Sequence, residues 1–248
     1  TEISKRLKKI SSEGGNIRIL SNTIISPSTK AVINDFANSF VIQNEDETNL
    51  SQVKHIQYDA ISYNAIRKAN EISFGESFIP NYSFDKAKVV VSVGADFIAN
   101  WLLPTRFSKD FSKTRKPENS WMSKHYQLES VMSLSGANAD VRGQIKPSDK
   151  GLIVKAILSA ISYKYNKISV SDSIDSIIEN IAKDLLLNRS ESIVICDSND
   201  TDIQLLVNAI NYELGNYNNT INTNHRINLF QGQDEEVLSL IDDIKKGS

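Results

Sequence analysis

Short β-branched runs alternate along this chain with amphipathic stretches of helical length, and that alternation leaves few folds open. A strand followed by a helix that returns along it is the repeating unit of a mostly parallel sheet with helices on its faces. The run Ala87-Lys88-Val89-Val90-Val91-Ser92-Val93 is the clearest case, because its near-continuous valine content suits a strand buried on both faces. Further strands are read at Asn16–Ser21, Lys54–Tyr58, His125–Ser130 and Ser192–Asp197, with extended chain at Val141–Lys146 and a last strand at Arg226–Phe230. Helices are read at Thr29–Ser39, Ala60–Glu71, Thr105–Thr114, Gly151–Tyr163, Ile174–Leu187, Thr201–Leu214 and Glu235–Lys245. In the first of these Val32, Ile33, Phe36 and Ala37 share a face and Ser28 is the expected N-cap. Gly215 suits the left-handed position that closes a helix. The expected fold class is therefore α/β, a mostly parallel, doubly wound, Rossmann-like sheet.

The Ser-, Asp- and Lys-rich segment Tyr165–Asp175 is the expected joint between a larger domain, residues 1–164, and a smaller α/β subdomain, residues 165–248. The Asn-rich segments Gln43–Gln52 and Asn216–Asn224 read as loops without chemistry.

Composition removes several function classes. With 248 residues and a net charge of −2, the chain has the size for a real core and lacks the basic footprint of a nucleic-acid binder. One cysteine, Cys196, cannot make an internal disulfide or supply a zinc or iron–sulfur site alone, and inside an apolar run it reads as an inert buried thiol. No apolar run approaches the roughly 20 residues that span a bilayer, and the basic N-terminal segment is followed by no apolar core of a signal peptide. The three histidines, His55, His125 and His225, lack metal-site spacing and read as surface or strand-end imidazoles. There is no Walker A, GxGxxG or GxSxG sequence.

In open α/β sheets ligands gather at the carboxyl ends of strands where the strand order reverses. The segments to watch are accordingly Ser21-Asn22, Gly94-Ala95-Asp96, Ser133–Asp140 and Asp197–Asp200. Gly94 and Asp96 form either a nucleotide contact or a tight turn with an Asx cap. Asp140, Arg142 and Glu129 form either an ion-pair network or a docking surface. The basic stretch Arg106–Lys116 offers Lys109, Lys113, Arg115 and Lys116 as candidates for docking an acidic partner. Trp101 and Trp121 beside it are expected core or interface anchors.

Several segments in order, from about Asn16 to Thr220, resemble the molybdopterin oxidoreductase superfamily. They include Ser21–Ser28, Tyr58-Asp59-Ala60, Tyr82–Phe97, Glu129–Arg142 and Asn208–Asn216. The resemblance is to the branch holding the iron–sulfur subunit of the quinol-oxidising alternative complex III. It implies vestigial cofactor-contacting positions at Gly94, Asp96, Ala139, Asp140, Asp149 and Lys150. Where the family carries Pro-Gly-Thr-Asp this chain has Pro147-Ser148-Asp149-Lys150, and a lysine, with three donors and no acceptor, cannot read guanine. What the resemblance implies is a non-catalytic scaffold within a longer subunit. That scaffold has no molybdopterin and no catalytic or metal residue of its own, while iron–sulfur clusters lie elsewhere in the parent. It docks on other subunits of a membrane-bound respiratory complex at the periplasmic side of the cytoplasmic membrane. Two alternatives are a segment of a true molybdopterin guanine dinucleotide enzyme with its ligands outside this chain, and an unrelated Rossmann-like nucleotide-binding module.

Overall fold

A computed structural model describes residues 1–42 and 50–247. In chain order its elements begin with α1 (Glu2–Ser12), β1 (Ile17–Ser21), α2 (Pro27–Asn38), β2 (Val41–Ile42), β3 (Leu50–Ser51), β4 (Val53–Gln57), α3 (Asn64–Phe74) and β5 (Ile79–Tyr82). They continue with β6 (Val89–Val93), α4 (Pro104–Lys113), β7 (Lys124–Glu129), α5 (Leu134–Ala137), β8 (Val141–Gln144) and α6 (Lys150–Ile161). The last are α7 (Asp172–Leu187), β9 (Ser192–Cys196), α8 (Thr201–Glu213), β10 (Ile221–Ile227) and α9 (Asp234–Lys246). The chain forms two compact units, Thr1–Asn64 with Asn228–Ser248, and Ala65–Ile227. The joint expected at Tyr165–Asp175 lies inside the second unit. Of the segment expected to be an inert loop, residues 43–49 lie outside the described residues.

The Ala65–Ile227 unit is an α/β layer structure, as the alternating pattern requires. Its four-stranded parallel sheet has the order β8-β7-β6-β9, so the chain steps outward from β6 through β7 to β8 and then returns to the other side of β6. Strand periodicity of two sorts the side chains. Val89, Val91, Val93, Tyr126, Leu128, Val194 and Cys196 enter one core with Ile153, Ile157, Ile178, Ile181 and Leu185 of α6 and α7. The opposite face is roofed by an aromatic layer in which Phe84 stacks on Phe97 at 4.4 Å, and Phe107, Phe111 and Trp101 close around them. Trp101 is thus a core anchor, 2% exposed.

The free edge of β9 is capped by side chains that imitate a neighbouring strand. Asn211 accepts from Val194 N–H (3.2 Å) and donates to its carbonyl (2.8 Å), Gln204 donates to the Cys196 carbonyl, and Thr220 to the Ser192 carbonyl. An edge so occupied offers no template for pairing with another chain. Asn216, expected in a loop without chemistry, is fully buried and joins this cap through Asn211 and Ser192. The expected last strand lies instead at β10, paired antiparallel to β5 with a register shift between Asn222 and Arg226.

In the other unit β1 and β4 form a parallel pair, Ile17 beside Val53 and Leu20 beside Ile56. The N-cap of α2 is Ser26, accepting from Thr29 N–H, rather than the expected Ser28, because Pro27 takes the first helical position. The expected apolar face of α2 is not buried either, and Val32 is 68% exposed. Among the described residues the buried hydrophobics of this unit are Ile17, Val53, Ile56 and Leu240. At the carboxyl end of the strand pair Asp59 accepts from Thr23 N–H (3.0 Å) and Gly232 N–H (2.9 Å), tying the turn after β1 to the approach to α9. A side chain at Gly232 would lie 2.8 Å from the Asp59 nitrogen, so this closure requires glycine. Ser21, one of the watched positions, is held by His55 Nε2 at 2.8 Å.

Candidate functional site

The strand order of the Ala65–Ile227 unit reverses between β6 and β9, and the carboxyl ends of these strands are where such a sheet holds a ligand. A polar cleft of about 260 Å³ lies there, lined by Gly94, Asp96, Asn100, Glu129, Ser130, Val131, Ser133, Lys150 and Asp197. Three of the expected site residues, Gly94, Asp96 and Lys150, are therefore brought together.

The charged groups of the cleft, Asp96, Glu129, Lys150 and Asp197, are each engaged by a neighbour. Lys150 Nζ reaches Asp197 at 2.6 Å across the switch point. Gly94 has a left-handed φ of +81°, and a Cβ on it would overlap the Asp197 carboxylate, so the two chain ends close on each other. Asp96 Oδ1 accepts from Ser135 N–H (2.9 Å) and Ser135 Oγ (2.7 Å), which ties α5 to the end of β6. Its side chain therefore caps α5 rather than its own turn, so the expected Asx cap is not what the geometry gives.

Glu129, 3% exposed, is the most heavily bonded carboxylate of the cleft. It accepts from Arg142 Nε (2.7 Å), Ser133 N–H (3.1 Å), Ser133 Oγ (2.6 Å) and Gln127 Nε2 (3.1 Å). Burial opposes its charge, but these donors outweigh it and hold the carboxyl below the ordinary glutamate range. Gly136 packs against the same carboxylate with no space for a side chain. Two helix termini nearby are spent in the same manner: Asp200 caps α8 by accepting from Asp202 and Ile203 N–H, and Ser133 caps α5, whereas α6, which begins at Lys150, has no side-chain cap. Helix N-termini bind phosphate through free amides and the dipole. Here carboxylates stand where a phosphate would approach, and the one lysine lining the cleft is paired.

The remaining expected positions lie elsewhere. Asp140 sits at the amino end of β8, where it accepts from His125 N–H at 2.8 Å and holds Arg115 through two bonds of 2.7 and 2.8 Å. Ala139 precedes it. Both are on the edge of the sheet opposite the cleft, so Glu129, Arg142 and Asp140 make two separate ion pairs and not one network. Asp149 begins α6 without a side-chain cap bond and accepts from Ser148 Oγ. Of the basic docking candidates, Arg115 is committed to Asp140 and the exposed Lys113 to Asp110 (2.8 Å) and Asp85 (3.1 Å), while Lys109 and Lys116 are exposed.

The sequence reading missed a buried polar row. His125, Gln127 and Glu129 share one face of β7, with His125 Nε2 3.1 Å from Gln127 Oε1 and Gln127 Nε2 donating to Glu129. Because the Gln127 amide donates onward, its oxygen faces the imidazole, which must carry its proton on Nε2; Nδ1 is buried without a partner. His125 is fully buried between Phe97 and Phe111, contrary to the expectation of a strand-end imidazole, and burial pushes its pKa down to about 4. Alternating polar residues at 125, 127 and 129 were the available signal, but they look the same in a strand with one wet face. Cys196 matches its reading: it is 1% exposed, and burial pushes the thiol up to about 12. No group of three metal-ligating side chains occurs among the described residues, and none of their helices is long and apolar enough to cross a membrane.

Fold and site together define an α/β, Rossmann-like chain whose switch-point cleft is bordered by its own ion pairs and caps. No family model and no curated protein matches it. Among solved structures it is similar to a chain of the formyltransferase/hydrolase complex of Methylorubrum extorquens, determined by X-ray crystallography with methylofuran. The identity is 9%, the TM-score 0.51, and the likeness covers 81% of this chain and 50% of that one. A likeness at this identity is one of fold. It corrects the family reading above: the structural relative is a formyltransferase/hydrolase component, and nothing supports a molybdopterin oxidoreductase, an iron–sulfur subunit or alternative complex III.

Proposed function

We propose that this chain is a non-catalytic α/β scaffold within a multi-subunit assembly, joined to a partner through the carboxyl edge of its parallel sheet. The observation that carries this reading is the Lys150–Asp197 pair at 2.6 Å beneath Gly94, which places protein charge where a Rossmann-like enzyme keeps its ligand. Beside that cleft the loop after β7 and the first residue of α5 present Val131, Met132 and Leu134 at 79, 65 and 51% exposure. Adjacent apolar side chains held in water by a rigid, capped frame are the ordinary signature of a contact surface. The multi-subunit character of the structural relative supports the same reading.

The test is purification of the tagged chain from its native cells, with cross-linking to map the contact. The expected result is a stoichiometric partner cross-linked through residues 130–134. A Met132→Asp, Leu134→Asp variant is expected to keep the wild-type circular dichroism and melting temperature and to lose that partner. Recovery of the chain without a stoichiometric partner, or a partner indifferent to the variant, contradicts the proposal.

A further inference from the structure

A pocket of about 340 Å³ lies between α6, α8 and the chain that connects α6 to α7. Lys155 stands three residues before Leu158 and four before Ser159, so the three share one face of α6. Leu158 is buried there, and the half-buried Ile168 and Leu206 pack against the same core, completing an apolar lining with Tyr165. Ser159 fixes the wall, because its Oγ donates to the Ala156 carbonyl at 2.8 Å and accepts from Ile168 N–H at 3.2 Å. The lining is therefore set before any ligand arrives.

The polar groups of this pocket are unspent, unlike the charged ones of the switch-point cleft. Among the described residues no protein group bonds to or pairs with the side chain of Lys155, Tyr165 or Asn166, all three of which line it. No acid is among its lining residues. An adjoining pocket shares Ser159 and Tyr165, and the one acid on its walls, Glu179, is taken by Lys167 at 2.6 Å. Glu213 of α8 is likewise taken, by Lys164 at 3.1 Å. An apolar lining with one uncompensated cation at its exposed rim matches a molecule with a hydrocarbon body and an anionic head. The Lys155 ammonium offers three donors to a carboxylate, and the Asn166 amide and Tyr165 hydroxyl bring further donors to the same rim.

We infer that this pocket binds a small aliphatic carboxylate, its chain laid against Leu158, Ile168 and Leu206 and its head held by Lys155. The volume lies at the lower end of the roughly 300–1,000 Å³ typical of small-molecule sites, which suits a chain of medium length. None of the lining residues belongs to the switch-point cleft or to residues 130–134, so the inference stands or falls apart from the scaffold reading.

Titration of the intact ¹⁵N-labelled chain with sodium octanoate tests it. Saturable amide shifts are expected at Lys155, Ser159, Ile168 and Leu206 at millimolar ligand. Affinity is expected to rise from butanoate through hexanoate to octanoate, by up to about fourfold for each methylene buried. Lys155→Glu, a change at an exposed position, is expected to weaken octanoate by about tenfold, since it replaces attraction with repulsion. The uncharged 1-octanol is expected to bind wild type and variant alike, which shows that the variant keeps the pocket. Octanoate that gives no saturable shift overturns the inference, as do shifts that fall elsewhere in the chain. So does an affinity indifferent to chain length, or one that Lys155→Glu leaves unchanged.

Discussion

Phe97→Ala is expected to lower the stability of the Ala65–Ile227 unit by about 3–5 kcal/mol, the range for emptying a fully packed aromatic site. Phe97 has no exposed surface, lies at 8° to Phe84, and meets Phe111 and His125 edge-on at 5.4 and 5.1 Å. Its removal strips packing from both the roof and the buried imidazole, and α4 cannot collapse into the space while Phe107 and Phe111 are already seated against the layer. Urea unfolding followed by tryptophan fluorescence measures the loss, since Trp101 sits in the same cluster. A loss under about 1 kcal/mol, typical of surface sites, contradicts the packing described.

The second large effect is a pH dependence set by His125. Its folded pKa of about 4 lies below the ordinary 6.5, so between these values the unfolded chain takes a proton that the folded chain refuses. Stability from this group is therefore complete above pH 6.5 and is lost as the pH falls toward 4. The loss is about 2 kcal/mol between pH 7 and 5 and approaches about 3 kcal/mol at the lower limit. Glu129 and Asp140 act in a separate window. Burial opposes their charge but Arg142 and Arg115 hold them below the carboxylate range, so their contributions are lost only at still lower pH. Unfolding midpoints of the wild type at pH 7, 6 and 5 are expected to fall, and those of His125→Gln to stay nearly level. The imidazole proton resonances of His125 are expected to show no titration near pH 6.5, and titration there contradicts its burial.

Much of the fold was legible because its signals are local. The valine run at β6 could be nothing but an interior strand, and Gly215 closes α8 with a φ of +72°, as its position required. Proline and brevity hid β5, Ile79-Pro80-Asn81-Tyr82, whose partner β10 lies far along the chain. The basic segment that became α1 carries no buried residue and so gave no apolar periodicity to read. The site was legible only in part. Gly94 and Asp96 were found because strand ends are local, and Lys150 was reached through its place in the Pro147–Lys150 turn. Its pairing with Asp197, 47 residues on, depends on the strand order, which no local pattern encodes. The order also decided against Ala139 and Asp140: in a parallel sheet the residue before β8 lies at the amino edge, away from the cleft. The same gap explains His125, whose burial comes from Phe97 and Phe111, two side chains contributed by the long connection between β6 and β7.

The proposed function rests on the charged side chains of the cleft at the β6–β9 switch point being engaged with one another and with neighbouring groups. Backbone amide spectra of the ¹⁵N-labelled chain, titrated with AMP, NAD and GTP, test this at the residues concerned. The resonances of Gly94, Asp96, Ser135, Asp197 and Ile203 are expected to stay in place up to millimolar ligand. Saturable shifts confined to those residues would show an open binding site and contradict the account.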